Sequence, residues 1–332
     1  MATARVVTLH IQNPENNAQP FSFDETVVRA GCARHPDLAR RLKITVGNSP
    51  ADFARHIGDA EILLTWTRFA REHFPNPAPR LKWIMFTSAG LDRLQPFDWV
   101  PEGCALVNNR GTQGPKAAEY GLMVLLMLNA HLPSFISSQQ KPEWRQSYTS
   151  SIKGKTLLVV GMGAMGGAIA EAANAWGLRV IGVRLSGAPH PAADRVVTPD
   201  RLNDVLPLAD FVLLYQPLTP ATRRSFGSAQ FALMKRGAGF VNVARGAVID
   251  DDALIETLAS GKLSGAVLDV FDPEPLPSTH PFWHTPNLVM TPHCIDDRDN
   301  YLPLTLDLFF INFAAYLAGD PLPNRVDIGR GY

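Results

Sequence analysis

Short apolar runs alternate with stretches of helical period along most of the chain. Residues 6–9, 44–46, 62–64, 81–86 and 105–108 are apolar runs of buried-strand length, bounded by polar or turn-forming residues. Between them, residues 21–32 and 52–57 read as helices, the first opened by Ser22 or Asp24. Residues 114–131 begin with Pro115 and place Ala117, Ala118, Tyr120, Gly121, Val124 and Leu125 on a pattern that predicts a long buried helix. Residues 133–151 are polar and irregular around Trp144 and read as a linker. A second alternation follows, with strands expected at 157–160, 179–183, 211–215, 239–243, 265–270 and 288–290, and helices near 200–208, 229–234 and 250–260. A last helix, 300–317, is rich in Leu, Phe and Ala and is stopped by Gly319 and Pro321. Strands alternating with helices predict an α/β fold of parallel sheets covered on both faces.

At 332 residues the chain is long for one core, so two domains are expected. The last helix has no strand partner in the second alternation, so the chain is expected to cross back to the first domain. The predicted domains are 1–113 with 297–332, flavodoxin-like, and an inserted Rossmann domain, 114–296, with the ligand cleft between them.

The stretch that fixes the inserted domain is Leu157-Leu158-Val159-Val160 followed by Gly161, Gly163 and Gly166 in a G-x-G-x-x-G run. Met165, Ile169, Ala173 and Trp176 follow at helical spacing, and Gly177 marks a C-cap. Strand, glycine turn and helix together point to dinucleotide binding, with phosphates at the helix N-terminus. The next strand ends in Arg184, with Ser186 nearby, where NAD-binding units carry an acid for the ribose 2′-hydroxyl. An arginine there attracts a 2′-phosphate, so NADP is favoured and NAD remains possible. A solvated arginine after a strand is the plainer alternative.

Charge and cysteine content narrow the partners. Formal net charge is zero and there is no Lys/Arg run, which argues against nucleic acid or an anionic membrane. The longest apolar runs, such as 120–128, are too short to span a bilayer, and residues 1–10 lack the features of a secretory signal. Cys32, Cys104 and Cys294 are far apart and odd in number, so no disulfide framework and no metal site is expected and a cytoplasmic location is simplest.

Three residues follow strands of the second alternation: Arg245 after 240–244, Glu274 after 266–270, and His293 after 288–290. Ligands of open α/β sheets bind at such strand ends. Singly, Arg245 is equally a surface or phosphate residue, Glu274 a solvated loop acid, and His293 a structural histidine. Together they suit proton transfer beside a nicotinamide. Arginine holds a carboxylate bidentately, histidine donates a proton near neutral pH, and a carboxylate beside a histidine orients the ring.

These motifs resemble the D-2-hydroxyacid dehydrogenases, the D-isomer-specific NAD(P)-dependent family. The resemblance rests on Val159 to Gly166, Val243-Ala244-Arg245-Gly246, Leu268 to Phe271 with Glu274-Pro275-Leu276-Pro277, and Thr291-Pro292-His293. Ser88-Ala89-Gly90-Leu91-Asp92, Gln216 to Thr222 and the ending Arg330-Gly331-Tyr332 support it. It implies that Arg245 binds and polarises a 2-oxo acid, Glu274 hydrogen-bonds His293, and His293 gives its proton to the carbonyl oxygen during hydride transfer. It also implies that backbone groups of Ser88, Ala89 and Gly90 hold the substrate carboxylate, and that Asp269 contacts the nicotinamide carboxamide. Ala164, Met165, Arg184, Gln216, Pro217, Thr222, Val243 and Ala244 would line the cofactor. The sequence departs from the family at Arg184 and at Cys294-Ile295-Asp296-Asp297-Arg298, where many members carry small residues. Cys294 is read as redox-sensitive or, more simply, as a packing residue. Trp144 and Tyr301 are candidates for setting side-chain size, with core packing as the alternative.

The expected activity is NADPH-preferring reduction of glyoxylate, hydroxypyruvate or a similar small 2-oxo acid to the D-2-hydroxy acid. The alternatives are an NAD-linked dehydrogenase of a larger D-2-hydroxy acid and a non-catalytic dinucleotide-sensing corepressor. The resemblance of helix 114–131 to the family's dimer-forming helix makes a homodimer the expected state.

Overall fold

A computed structural model describes residues 5–15, 21–74 and 77–329. The family-like ending Arg330-Gly331-Tyr332 lies outside the described residues. The chain forms two compact units, residues 1–112 with 298–332, and residues 113–297.

The first unit holds a five-stranded sheet from β1 (Val7–Gln12), β2 (Leu42–Gly47), β3 (Ile62–Thr65), β4 (Trp83–Phe86) and β5 (Ala105–Val107), in the order β2-β1-β3-β4-β5. Every pairing is parallel. β3 and β4 are buried at every position, which is why they read as continuous apolar runs rather than alternating ones. Helices α1 (Glu25–Arg34), α2 (Pro36–Ala39), α3 (Pro50–His56) and α4 (Thr67–His73) fall between the strands. α1 is capped by the Asp24 side chain, not by Ser22, and α3 by Ser49 ahead of Pro50. α2 and α4 were not expected. In α4 only Phe69 and Ala70 are buried, which leaves no apolar period to read.

The second unit opens with α5 (Gly114–Asn129) and α6 (Leu132–Gln139). α6 corrects the reading of 133–151 as wholly irregular. His131 turns the chain in a left-handed conformation and Pro133 starts the helix. Its serines hid the pattern, because Ser137 turns inward, donating to the Pro133 carbonyl and accepting from Asn287 N–H. Then come β6 (Thr156–Val160), α7 (Ala164–Ala175), β7 (Arg179–Val183), β8 (Arg195–Val197), α8 (Leu202–Val205), β9 (Phe211–Leu214), α9 (Ser228–Leu233), β10 (Ala238–Asn242), α10 (Asp251–Ala259), β11 (Leu263–Leu268) and β12 (Leu288–Met290). The parallel sheet runs β12-β11-β10-β9-β6-β7-β8. β8 is an edge strand of three residues, too short to be read from sequence. The expected helix 200–208 breaks into α8 flanked by 3-10 turns at Pro199 and Pro207.

α11 (Tyr301–Ala318) belongs to the first unit, where Leu302, Leu306, Phe309, Phe310 and Phe313 pack against β1, β3 and β4 residues such as Leu9, Ile62, Leu64 and Trp83. Gly319 ends it at φ 79°. By length and composition α11 is apolar enough to cross a membrane. Thr305, Asp307 and Asn312 interrupt its apolar run, which is why 120–128 looked longer. Within the unit it is a core helix whose side chains cover the sheet.

Candidate active site

The chain enters the seven-stranded sheet at β6, builds outward to β7 and β8, then crosses to β9 on the other side. Strand order therefore reverses between β6 and β9, the switch point at which open α/β sheets bind ligands. Gly161, Arg184, Gln216, Arg245, Glu274 and His293 all follow the C-terminal ends of strands on this one edge. From β7 to β12 the edge spans about 24 Å at the usual strand spacing.

The glycine turn fits a dinucleotide. Gly161 has φ 111°, and a Cβ there would lie 2.5 Å from the Tyr215 carbonyl carbon and oxygen. A Cβ on Gly166 would lie 2.0 Å from the Gly161 oxygen, so that glycine lets α7 pack close to the turn. A Cβ on Gly163 would meet nothing within 4 Å. Gly163 is also the N-cap of α7 without a capping side chain. The open side of the turn and the uncapped helix end together leave room and N–H donors for a pyrophosphate. The N–H groups of Gly161 and Met162 donate to the Val183 carbonyl at 2.9 and 3.1 Å, which ties Arg184 to the turn.

The residues expected to line the cofactor divide by exposure. Ala164, Ser186 and Pro217 are exposed, and Arg184, Gln216 and Thr222 are half-buried. No carboxylate pairs with Arg184 among the described residues. Gln216 donates to Ser225 at 2.9 Å, and the Thr222 hydroxyl donates to the Pro217 carbonyl at 2.7 Å, so both brace their own loop. Met165, Val243 and Ala244 are buried. Met165 packs beneath the turn, its sulfur accepting from the Tyr215 hydroxyl.

Three adjacent strands, β10, β11 and β12, supply the polar constellation. Arg245 follows β10 in extended conformation, and its guanidinium donates to the Ala244 carbonyl at 2.7 Å. Glu274 lies beyond β11. One of its oxygens accepts from Phe271 N–H at 3.0 Å and the other from His293 Nδ1 at 2.9 Å. A carboxylate only accepts, so the Nδ1 proton points at Glu274 and Nε2 is left for a ligand. The pair is graded in exposure, with 40% of the His293 side chain exposed and 16% of the Glu274 side chain. His293 itself has φ 55°, a left-handed backbone uncommon outside glycine.

Asp269, expected to contact the nicotinamide carboxamide, is tied into the loop that carries His293. It is fully buried, and its carboxylate accepts from the Thr291 hydroxyl at 2.5 Å, Cys294 N–H at 2.9 Å and Ile295 N–H at 3.0 Å. Those donors come from the residues on either side of His293. Asp269 holds the histidine loop from beneath. Burial pushes the Cys294 thiol pKa up, away from an activated thiolate.

In the other unit, Ser88, Ala89 and Gly90 follow β4. The Ser88 carbonyl accepts from Asn109 N–H at 3.1 Å and the Ala89 carbonyl from the Asn108 side chain at 2.8 Å. The N–H groups of all three have no acceptor among the described residues, which leaves donors of the kind a carboxylate takes. Asn108 and Asn109 had no signal of their own in the sequence beyond following a strand. Trp144 is 95% exposed, on no helix or strand, whereas Tyr301 is half-buried and donates to the Thr87 carbonyl.

Comparison with known proteins agrees with this geometry. Residues 122–294 match the NAD-binding domain of the D-isomer specific 2-hydroxyacid dehydrogenases. The crystal structure of a D-isomer specific 2-hydroxyacid dehydrogenase family protein from Aeromonas salmonicida is 32% identical, with a TM-score of 0.82 over 98% of this chain and 100% of that one. The structure of an NADPH-dependent glyoxylate/hydroxypyruvate reductase from Sinorhizobium meliloti, in complex with NADP and sulfate, is 26% identical, with a TM-score of 0.80 over 98% of this chain and 100% of that one. The D-3-phosphoglycerate dehydrogenase of Methanocaldococcus jannaschii is 33% identical over 76% of this chain and 49% of its own length, so the chain spans about half of that relative. The chain belongs to the D-isomer specific 2-hydroxyacid dehydrogenase family, a family of NAD(P)-binding oxidoreductases.

Proposed function

We propose that this member of the D-isomer specific 2-hydroxyacid dehydrogenases reduces a small 2-oxo acid, of the glyoxylate or hydroxypyruvate type, to the D-2-hydroxy acid, with NADPH preferred over NADH. The observation that carries this reading is the 2.9 Å bond from His293 Nδ1 to Glu274, on the same sheet edge as Arg245 and the open glycine turn. When bound, the reduced nicotinamide supplies the hydride. The chain's residues do the rest. Arg245 binds the 2-oxo acid and polarises its carbonyl. His293 Nε2 hands a proton to the carbonyl oxygen and recovers it in the reverse direction. Glu274 keeps the ring oriented and offsets its positive charge. The free N–H groups of Ser88, Ala89 and Gly90 anchor the substrate carboxylate.

Arg184, with no carboxylate beside it, supports the NADP preference, as does the NADP-bound Sinorhizobium enzyme. The relatives named phosphoglycerate dehydrogenase favour a second reading, NAD-linked oxidation of a larger D-2-hydroxy acid. The test is a panel of 2-oxo acids with NADPH and NADH. A higher kcat/KM with NADPH on the small acids supports the first reading. Preference for NADH, or for larger acids, supports the second. Cofactor binding with no turnover on any acid would instead indicate a dinucleotide sensor.

The proposed state is a homodimer. Trp144 and Tyr148, 95% and 89% exposed beyond α6, are large rings that a second copy would cover. Light scattering on the full chain tests it. The free cysteines support a cytoplasmic setting.

A further inference from the structure

The loop after β12 makes an unusual demand on the chain. It carries His293 in a left-handed backbone, φ 55°, that residues with a Cβ rarely adopt. Strain of this kind persists only where the surroundings over-determine the conformation. Part of the restraint is local, since His293 N–H donates to the Thr291 carbonyl at 3.0 Å. Part comes from Asp269, at the end of β11, through Thr291, Cys294 and Ile295. A third part comes from a separate element. The Tyr120 hydroxyl, from the first half of α5, lies 2.5 Å from Thr291 Oγ1.

The direction of that contact follows from counting protons. Thr291 has one hydroxyl proton, and it is directed at the Asp269 carboxylate, which can only accept. Tyr120 is therefore the donor to Thr291, and the chain reads Tyr120 O–H to Thr291 O–H to Asp269. Each bond in such a chain polarises the next. Burial pushes the Tyr120 phenol pKa up, so the hydroxyl keeps the proton it donates.

We propose that Tyr120 is a positioning residue for His293, acting through Thr291 and Asp269. It fixes the Thr291 rotamer from the helix side, while Asp269 fixes it from the strand side. Thr291 in turn sets the turn on which His293 stands. The catalytic consequence rests on the role proposed above for His293; the geometric one does not.

The experiment uses the full chain with Tyr120→Phe, which removes one oxygen and keeps the ring packing with Ile169 and Ala173 in the same core cluster. Three quantities are measured: kcat, the NADPH dissociation constant, and the imidazole ¹⁵N resonance of His293, assigned by its absence in His293→Ala. The expected result is a fall in kcat of about tenfold, the scale of one buried hydrogen bond, with NADPH binding within about twofold and a displaced or broadened His293 resonance. A Tyr120→Phe/Thr291→Val double variant should be no slower than Thr291→Val alone, because both changes cut the same relay. An unchanged His293 resonance overturns the proposal whatever kcat does. So does a loss of NADPH binding that matches the loss of kcat, which would mark Tyr120 as a packing residue only. If the wild type turns over no 2-oxo acid, the functional reading fails, and the resonance alone still decides the positioning role.

Discussion

Along the C-terminal edge of the seven-stranded sheet, side chains carry the polar groups: Arg245 after β10, Glu274 beyond β11 and His293 after β12. Along the same edge of the five-stranded sheet the main chain carries them. Ser88, Ala89 and Gly90 follow β4, with the Ser88 and Ala89 carbonyls tied to Asn109 and Asn108 and the three N–H groups meeting no acceptor among the described residues. The first edge can move a proton and hold a charge. The second can only hold one. Under the function proposed above the two kinds of edge have different tasks, and the division predicts which kinetic constant each substitution should move.

The largest effect is expected on the first edge. His293→Ala should lower kcat by about 10²–10⁴-fold, the range for a lost general acid, with NADPH affinity nearly unchanged by fluorescence titration. Activity surviving at wild-type level would put the proton donor elsewhere. Arg245→Lys keeps the charge and loses the planar fork, so kcat/KM for the 2-oxo acid should fall roughly a hundredfold. A wild-type kcat/KM would remove Arg245 from the mechanism.

The second edge should respond differently. Asn108→Ala frees the Ala89 carbonyl and loosens the row of N–H donors without touching a proton carrier. The 2-oxo acid KM should rise roughly tenfold with kcat little changed. A fall in kcat with constant KM would erase the contrast between the edges. Between these lies the cofactor end. Arg184→Ala should raise the NADPH KM about tenfold and leave the NADH KM alone. Equal effects on the two cofactors would mean that Arg184 does not read the 2′-phosphate.

The smallest effect concerns the five-stranded sheet's own stability. His10 is fully buried on β1, hydrogen-bonded to Thr45 and Gln12, with His56 and Asp52 near its ring. Burial lowers its pKa below 6.5, so the folded chain keeps it neutral where the unfolded chain has begun to bind a proton. His10's contribution to stability is therefore full above about pH 6.5 and drains as pH falls from there toward the folded pKa. Urea midpoints measured across that window should decline in wild type and decline less in His10→Gln. Parallel curves would show that other groups set the acid limb.

The two edges also differ in how much of them could be read in advance. Side-chain chemistry is written in residue type, so Arg245, Glu274 and His293 could be picked out as strand-end residues. The two-sheet architecture was visible for the same reason, because β3, β4 and β6 are uninterrupted apolar runs and Gly161-x-Gly163-x-x-Gly166 marks the switch strand. Main-chain chemistry is not written that way. Nothing in Ser88-Ala89-Gly90 as residue types announces three unbonded N–H groups, and only family resemblance pointed there. Asp269 shows another limit. Family resemblance implied its contact with the nicotinamide carboxamide, but the N–H donors that fold over it are a tertiary fact, and they make it an anchor of the histidine loop. Tyr120 read as core because an apolar helix pattern says where a ring sits and not what its hydroxyl meets. α6 and β8 were hidden by inward serines and by brevity.

The most direct measurement is the stoichiometry and handedness of one reaction. Purified full chain is supplied with NADPH and hydroxypyruvate, and the product is resolved by chiral chromatography as NADPH is consumed. The account predicts one D-glycerate formed for each NADPH oxidised. L-glycerate as the product, or NADPH bound but left unconsumed, would contradict it.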